Sequence, residues 1–145
     1  MQDYPHRYLA NARGRPEGVI DTGSPGLDTI AVMPPAEFDG PGDKWSPETL
    51  LVASIANCFI LTFRAVARAS QFDWNALGCE VVGILNRVER VTRFTEFQIN
   101  VTLRLPAGAD WHKAHRIAEK SESVCLVTNS LNGDKTLKVD IEYDE

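Results

Sequence analysis

The sequence predicts an α+β fold with antiparallel sheet, and three observations carry that reading. A long helical segment in the middle of the chain is apolar on every side, strictly alternating segments flank it, and glycine and proline punctuate the first third into short strands. At 145 residues with 43% apolar and 24% charged side chains, the chain has the length and composition of one globular domain. It is long enough to bury roughly two-thirds of its unfolded surface. We read residues 1–145 as a single domain. Residues 1–45 hold N-terminal strands and a loop, 46–70 a central helix, and 75–145 strands, a second helix and a terminal strand.

From Tyr8 to Val32, short apolar runs (Val19-Ile20 and Ile30-Ala31-Val32) are separated by Gly14, Pro16, Gly18, Gly23, Pro25 and Gly26, the pattern of a small meander. Met33 to Trp45 carries Pro34, Pro35, Gly40, Pro41 and Gly42 and reads as a long loop without helix or strand. Ser46-Pro47-Glu48 is a helix start. Ser supplies the N-cap, Pro sits where its missing N–H costs nothing, and Glu complements the positive end of the helix dipole. The helix should run to about Ser70 with Cys58 at its middle. Leu50, Leu51, Val52, Ile55, Phe59, Ile60, Leu61, Phe63 and Val66 fall around its whole circumference, which implies a helix surrounded by protein. The surplus of apolar surface suggests a dimer in which two such helices share a core.

Two strands should follow as an antiparallel hairpin. One covers Val81-Val82-Gly83-Ile84-Leu85, the other alternates Phe97, Ile99, Val101, Leu103 and Leu105 with polar residues, and a charged connection holding Arg87, Glu89, Arg90 and Arg93 joins them. Pro106-Ala107-Gly108 ends the hairpin, and Asp110 caps a helix reaching about Ser123. Cys125 follows at the junction among Ser121, Glu122, Ser123, Thr128 and Asn129, a polar setting in which a thiol should be reachable. Asn132-Gly133-Asp134 makes a turn before the alternating strand of Leu137, Val139, Ile141 and Tyr143.

Several function classes fall away. A net charge of -5, from 15 Lys+Arg against 20 Asp+Glu, opposes attraction to a phosphate backbone or an anionic membrane. No secretory h-region is visible in Met1 to Ala10, so the expected location is cytoplasmic, with no nucleic-acid or membrane partner. The uncharged stretch Thr49 to Phe63 is shorter than the roughly 20 apolar residues of a bilayer span and reads as a buried core helix. Zinc is disfavoured because His112 and His115 share a helix face without a third ligand and no C-x-x-C occurs. No G-x-S-x-G elbow or Gly-rich nucleotide loop is present. Three cysteines are too few and too far apart for a disulfide scaffold. Taken residue by residue, Cys58, Cys79 and Cys125 each fit a small packing side chain better than a chemical role.

The segments FDGPGDKWSPETLLVASIANCF and SVCLVTNSL together resemble the OsmC and organic hydroperoxide resistance (Ohr) family. That family's pattern is a GPG-type loop, an N/S-P-E helix start, a cysteine ten residues after the Glu, and a second cysteine entering a C-P-x-S/T-N-like stretch. Glu48 and Cys58 keep the spacing, and Cys125 with Thr128-Asn129 matches the second motif. Leu126 stands where proline is common, Asn57 where alanine is usual, and Trp45 is bulky for the loop.

The resemblance implies an intertwined homodimer with antiparallel sheets around long central helices. It also implies thiol-dependent reduction of organic hydroperoxides, through a Cys58 sulfenic acid and a Cys58–Cys125 disulfide reset by an external dithiol or lipoyl-type reductant, with no bound cofactor or metal. A buried thiol needs help to ionise. The resemblance assigns that role to Arg15, ahead of Gly18-Val19, with Arg13 as the alternative, and has Glu48 hold the guanidinium. Ten helical residues rise about 15 Å, so Glu48 and Cys58 of one unbroken helix cannot meet at one site. A partner subunit would then supply one of them. Phe38, Trp45, Phe59 and Phe63 would line the peroxide site. The rival reading is a non-catalytic ligand-binding or redox-sensing protein of the same fold.

Overall fold

The structure is a computed structural model that describes all 145 residues. The chain forms two compact units, Met1–Leu51 and Val52–Glu145, with the boundary inside the long helix.

The first unit holds a three-stranded antiparallel meander of β1 (Asn11–Arg13), β2 (Ile20–Gly23) and β3 (Ile30–Val32). The proline-rich loop is more ordered than its composition suggests. Ala36–Phe38 make a turn of 3-10 helix, closed where Asp39 takes a left-handed φ of 64°. Trp45 returns beside β3, its carbonyl accepting from the Met33 N–H at 2.9 Å. Gly40 is required there, because a Cβ would lie 1.7 Å from the Pro34 carbonyl oxygen. Prolines 34 and 35 stiffen a compact turn rather than abolishing structure.

The long helix α1 (Pro47–Ala69) starts where the sequence places it. Ser46 Oγ accepts from the Thr49 N–H at 3.1 Å, and Thr49 Oγ1 accepts from the Ser46 N–H at 2.9 Å, a reciprocal cap. By length and composition the helix also meets the requirement for a bilayer span, with a mean hydropathy of 1.9 over its most apolar window. The count of uncharged residues alone understates this, because charges near both ends leave the interior apolar. One side, carrying Ile55, Cys58, Phe59, Phe63 and Ala67, is buried within the chain. Leu61, on another side, is 59% exposed.

In the second unit, β4 (Ala76–Val88) and β5 (Val91–Leu105) pair antiparallel, and β6 (Asp134–Tyr143) joins β5 in parallel from Glu96↔Asp134 to Leu105↔Tyr143. The second sheet is therefore mixed. The cause is the connection: α2 (Trp111–Ser123) and the single turn α3 (Leu126–Asn129) cross from the end of β5 back to its start, so the next strand runs in the same direction. Asp110 caps α2 as its type requires, Oδ1 accepting from the N–H groups of His112 and Lys113.

The hairpin is longer than the apolar pattern indicates. The charged connection is itself strand, turning at Glu89 and Arg90 with φ of 50° and 68°, a two-residue turn of left-handed conformation. A bulge between Ile84 and Leu85 breaks the alternation that would have marked the extension, and β6 does not reach this end, so charged side chains stay solvated on a two-stranded ribbon.

Phe97, Ile99, Val101, Leu103 and Leu105 are all buried on one face of β5. With Ile55, Phe59 and Phe63 of α1 and Ala114, Ile117 and Ala118 of α2, they make the core of this unit. Each large side chain contributes about 1.5–3 kcal/mol by leaving water. Phe63 stacks on Phe59 at 6.3 Å between centroids and meets Trp74 edge-on at 5.3 Å.

The start of α1 in this unit lies tightly on the sheet at Gly83, where a Cβ would stand 2.7 Å from Val52 Cγ1 and 2.8 Å from Phe94 Cε1. Gly83→Ala should therefore lower stability by about 1–3 kcal/mol through overpacking. Gly78→Ala, on the same strand with nothing within 4 Å of its Cβ, should not. Urea midpoints of the two variants check this, and equal midpoints would contradict the packing described.

Candidate active site

The sulfur of Cys58 lies on the buried side of α1, and its surroundings come from two places. On its own helix, one turn on, Thr62 Oγ1 is 3.8 Å away. From the α2–α3 junction, the Cys125 thiol and the backbone N–H groups of Val127 and Leu126 act on it electrostatically, each favouring its ionised form. Those two amides are the first of α3, which have no partner inside their own helix and are free to donate.

These donors decide the ionisation of Cys58. Burial is the largest single influence and pushes its pKa up. The Cys125 thiol, the Val127 N–H, the Thr62 hydroxyl and the Leu126 N–H act together in the opposite direction and hold Cys58 below the ordinary thiol value. Cys125 goes the other way. Its burial dominates and, with the adjacent Cys58 thiol also favouring the protonated form, outweighs the Thr128 N–H and hydroxyl that act in the opposite direction. The pair thus divides into an ionisable Cys58 and a proton-carrying Cys125, each in the reduced state.

The polar residues around Cys125 do not make it accessible. Cys125 is 1% exposed. Ser121 and Thr128 turn inward, their hydroxyls donating to the carbonyls of Ile117 at 2.6 Å and Cys125 at 3.2 Å, while Leu126 is 71% exposed. Polarity read along the chain is inverted here because backbone carbonyls at the end of α2 and in α3 take up the hydroxyls. Cys79, on the inward side of β4 opposite Val101, is pushed up to about 11 by burial and by the charge of Cys125. It is a protonated bystander.

The remaining expected residues are distributed as follows. α1 is unbroken from Pro47 to Ala69, so Glu48 and Cys58 of one chain stand about 15 Å apart along it. Glu48 has one carboxylate oxygen, Oε1, buried without a hydrogen-bond partner. It borders a cavity of about 210 Å³ walled by Val32, Met33, Pro34 and Phe38. Arg15, in the turn after β1, and Arg13, within β1, are exposed and form no ion pair within the chain. Phe59 and Phe63 are interior, at 1% and 0% exposure, and belong to the core rather than to a substrate wall. No three His, Cys, Asp or Glu side chains are arranged to hold a metal.

Thr62 and the amides of Leu126 and Val127 are site residues that motif reading does not single out. Thr62 carried one signal, its place one turn after Cys58. A backbone amide carries none, except that a proline at position 126 would remove one donor. Leu126→Pro should leave the fold intact, since proline suits the first position of a helix. It should raise the Cys58 pKa and slow alkylation of Cys58 near neutral pH by roughly tenfold, the worth of one hydrogen bond to a charged group. The rate follows the thiolate fraction, so its rise with pH should move to higher pH in the variant. An unchanged profile would remove the amide from the account.

The sequence pattern of the OsmC-like protein family matches residues 40–141. The chain is 30% identical over 146 residues to YmaD, an uncharacterized protein of Bacillus subtilis (strain 168), covering 97% of this chain and 95% of that one. Among solved structures, it superposes on an OsmC-like protein of unknown function from Vibrio cholerae with a TM-score of 0.86 at 13% identity, over 94% of this chain and 100% of that one. It also superposes on an organic hydroperoxide resistance protein from Elizabethkingia anophelis with a TM-score of 0.79 at 18% identity, over 99% and 100% of the two chains. Having the motif, the extent of match and the α+β architecture of these proteins, the chain belongs to the OsmC-like protein family.

Proposed function

We propose that this protein is a cysteine-based peroxidase that reduces organic hydroperoxides to alcohols. The observation that supports it most is the pairing of two buried thiols with opposite ionisation, Cys58 held low by four donors and Cys125 held high. The likeness to the organic hydroperoxide resistance protein of Elizabethkingia anophelis favours the same reading.

The Cys58 thiolate attacks the outer peroxide oxygen, the O–O bond breaks, and the alkoxide leaves. The proton that Cys125 shared with Cys58 is the nearest one to neutralise it, giving the alcohol, a Cys58 sulfenic acid and a Cys125 thiolate. That thiolate attacks the sulfenic sulfur, expels hydroxide, and closes the Cys58–Cys125 disulfide. An external dithiol or lipoyl-type reductant returns both to thiols. Cys58 acts as nucleophile and Cys125 as proton source and resolving thiol.

Arg15 is proposed to approach the peroxide, with Glu48 as the carboxylate that holds its guanidinium. Glu48 supports this with a buried oxygen that lacks a donor, a costly arrangement that a guanidinium would relieve. Because Glu48 and Cys58 are separated along one rigid helix, the complete site is proposed to draw on two subunits of a homodimer. The exposed Leu61 of α1, with Leu50, Leu51, Val52 and Ile60 only partly buried, supports such an association.

Purified protein mixed with cumene hydroperoxide and a dithiol should consume peroxide, and Cys58→Ser should abolish this. Cys125→Ser should complete one turnover and then accumulate Cys58 sulfinic acid. Peroxide consumption unchanged in Cys58→Ser would defeat the proposal. A redox sensor of the same fold would instead form the disulfide once and resist reduction by the dithiol.

A further inference from the structure

A second feature of the Val52–Glu145 unit is independent of the thiols. Lys113, Arg116 and Lys120 fall on one stripe of α2, three and four residues apart, beside Ile117. Across from them lie Val66 and Ser70 at the end of α1, and together these residues line a groove of about 250 Å³ with no acidic side chain in its wall. In a chain of net charge -5, a local cluster of three cations is a departure from the mean.

The cations are not equivalent. Lys113 Nζ donates to the Ser70 carbonyl at 2.9 Å and lies 6.0 Å over the Phe72 ring, so it neutralises the negative end of α1. Arg116 and Lys120 have no carboxylate within ion-pairing distance. Asp110, the acid that senses Arg116, is engaged by the first N–H groups of α2. The groove thus offers two uncommitted charges over an apolar floor of Val66 and Ile117.

We propose that this groove binds a small molecule carrying a phosphate or carboxylate group on a short apolar body. The anionic group would bridge the Arg116 guanidinium, which suits bidentate contact, and the Lys120 ammonium. The apolar part would lie on Val66 and Ile117. The volume admits a ligand smaller than a typical drug-sized molecule.

Backbone amide NMR titrations with inorganic phosphate and, separately, with hexanoate test this at constant ionic strength. Saturable shifts confined to residues 113–120 and the end of α1 are expected with at least one probe. Saturation with phosphate alone assigns a phosphate ligand, and with hexanoate alone a carboxylate with an apolar body. The double variant Arg116→Gln/Lys120→Gln keeps Lys113 on Ser70 and should bind at least about tenfold more weakly. Lys138→Gln, on β6 away from the groove lining, should bind as the parent does. Shifts that rise linearly at Lys44 and Lys138 as much as at Lys120, or equal affinity in the double variant, would overturn the proposal.

Discussion

The polar groups that face the Cys58 sulfur are the constraint on which the second unit turns. They link the middle of α1, which carries Cys58, to the α2–α3 junction, which carries Cys125. The junction has the conformation that this requires. α2 ends at Ser123, Cys125 adopts an extended backbone, and α3 begins at once at Leu126. The buried hydroxyls of Ser121 and Thr128, bonded to the carbonyls of Ile117 and of Cys125 itself, hold the turn in place. A buried thiolate without such donors would be expensive, and its pKa would rise as that of Cys79 does.

Much of the fold was legible because it rests on periodicity and capping. Ser46-Pro47-Glu48 and Asp110 announce their helices by residue type, and the alternation of β5 is strict over Phe97 to Leu105. What was not legible rests on tertiary context. The parallel pairing of β6 is a matter of where α2 and α3 deliver the chain, and the outer hairpin hides behind a bulge and a turn without Asn or Gly. The site divides in the same way. The motif spacing singles out Cys58 and Cys125 as candidates, whereas the groups that act on them include backbone N–H groups, which any residue but proline supplies equally. Polar sequence around Cys125 misleads for a related reason, since hydroxyls can face inward when a carbonyl waits for them.

Two features of the chain remain physically incomplete by themselves. α1 carries more apolar surface than its own chain buries, and Glu48 keeps a buried oxygen without a donor beside an apolar cavity. A second subunit would answer both at once, covering the helix and bringing a cation to the carboxylate. The activation of Cys58 is less dependent on this, because its identified donors are neutral dipoles from the same unit.

The most direct measurement is the ultraviolet thiolate titration of the reduced protein and of its single-cysteine variants. The account predicts a first ionisation below the ordinary thiol range that disappears in Cys58→Ser and moves upward in Cys125→Ala, where the proton donor is lost. A first ionisation that persists in Cys58→Ser, or that is unmoved by Cys125→Ala, would contradict it.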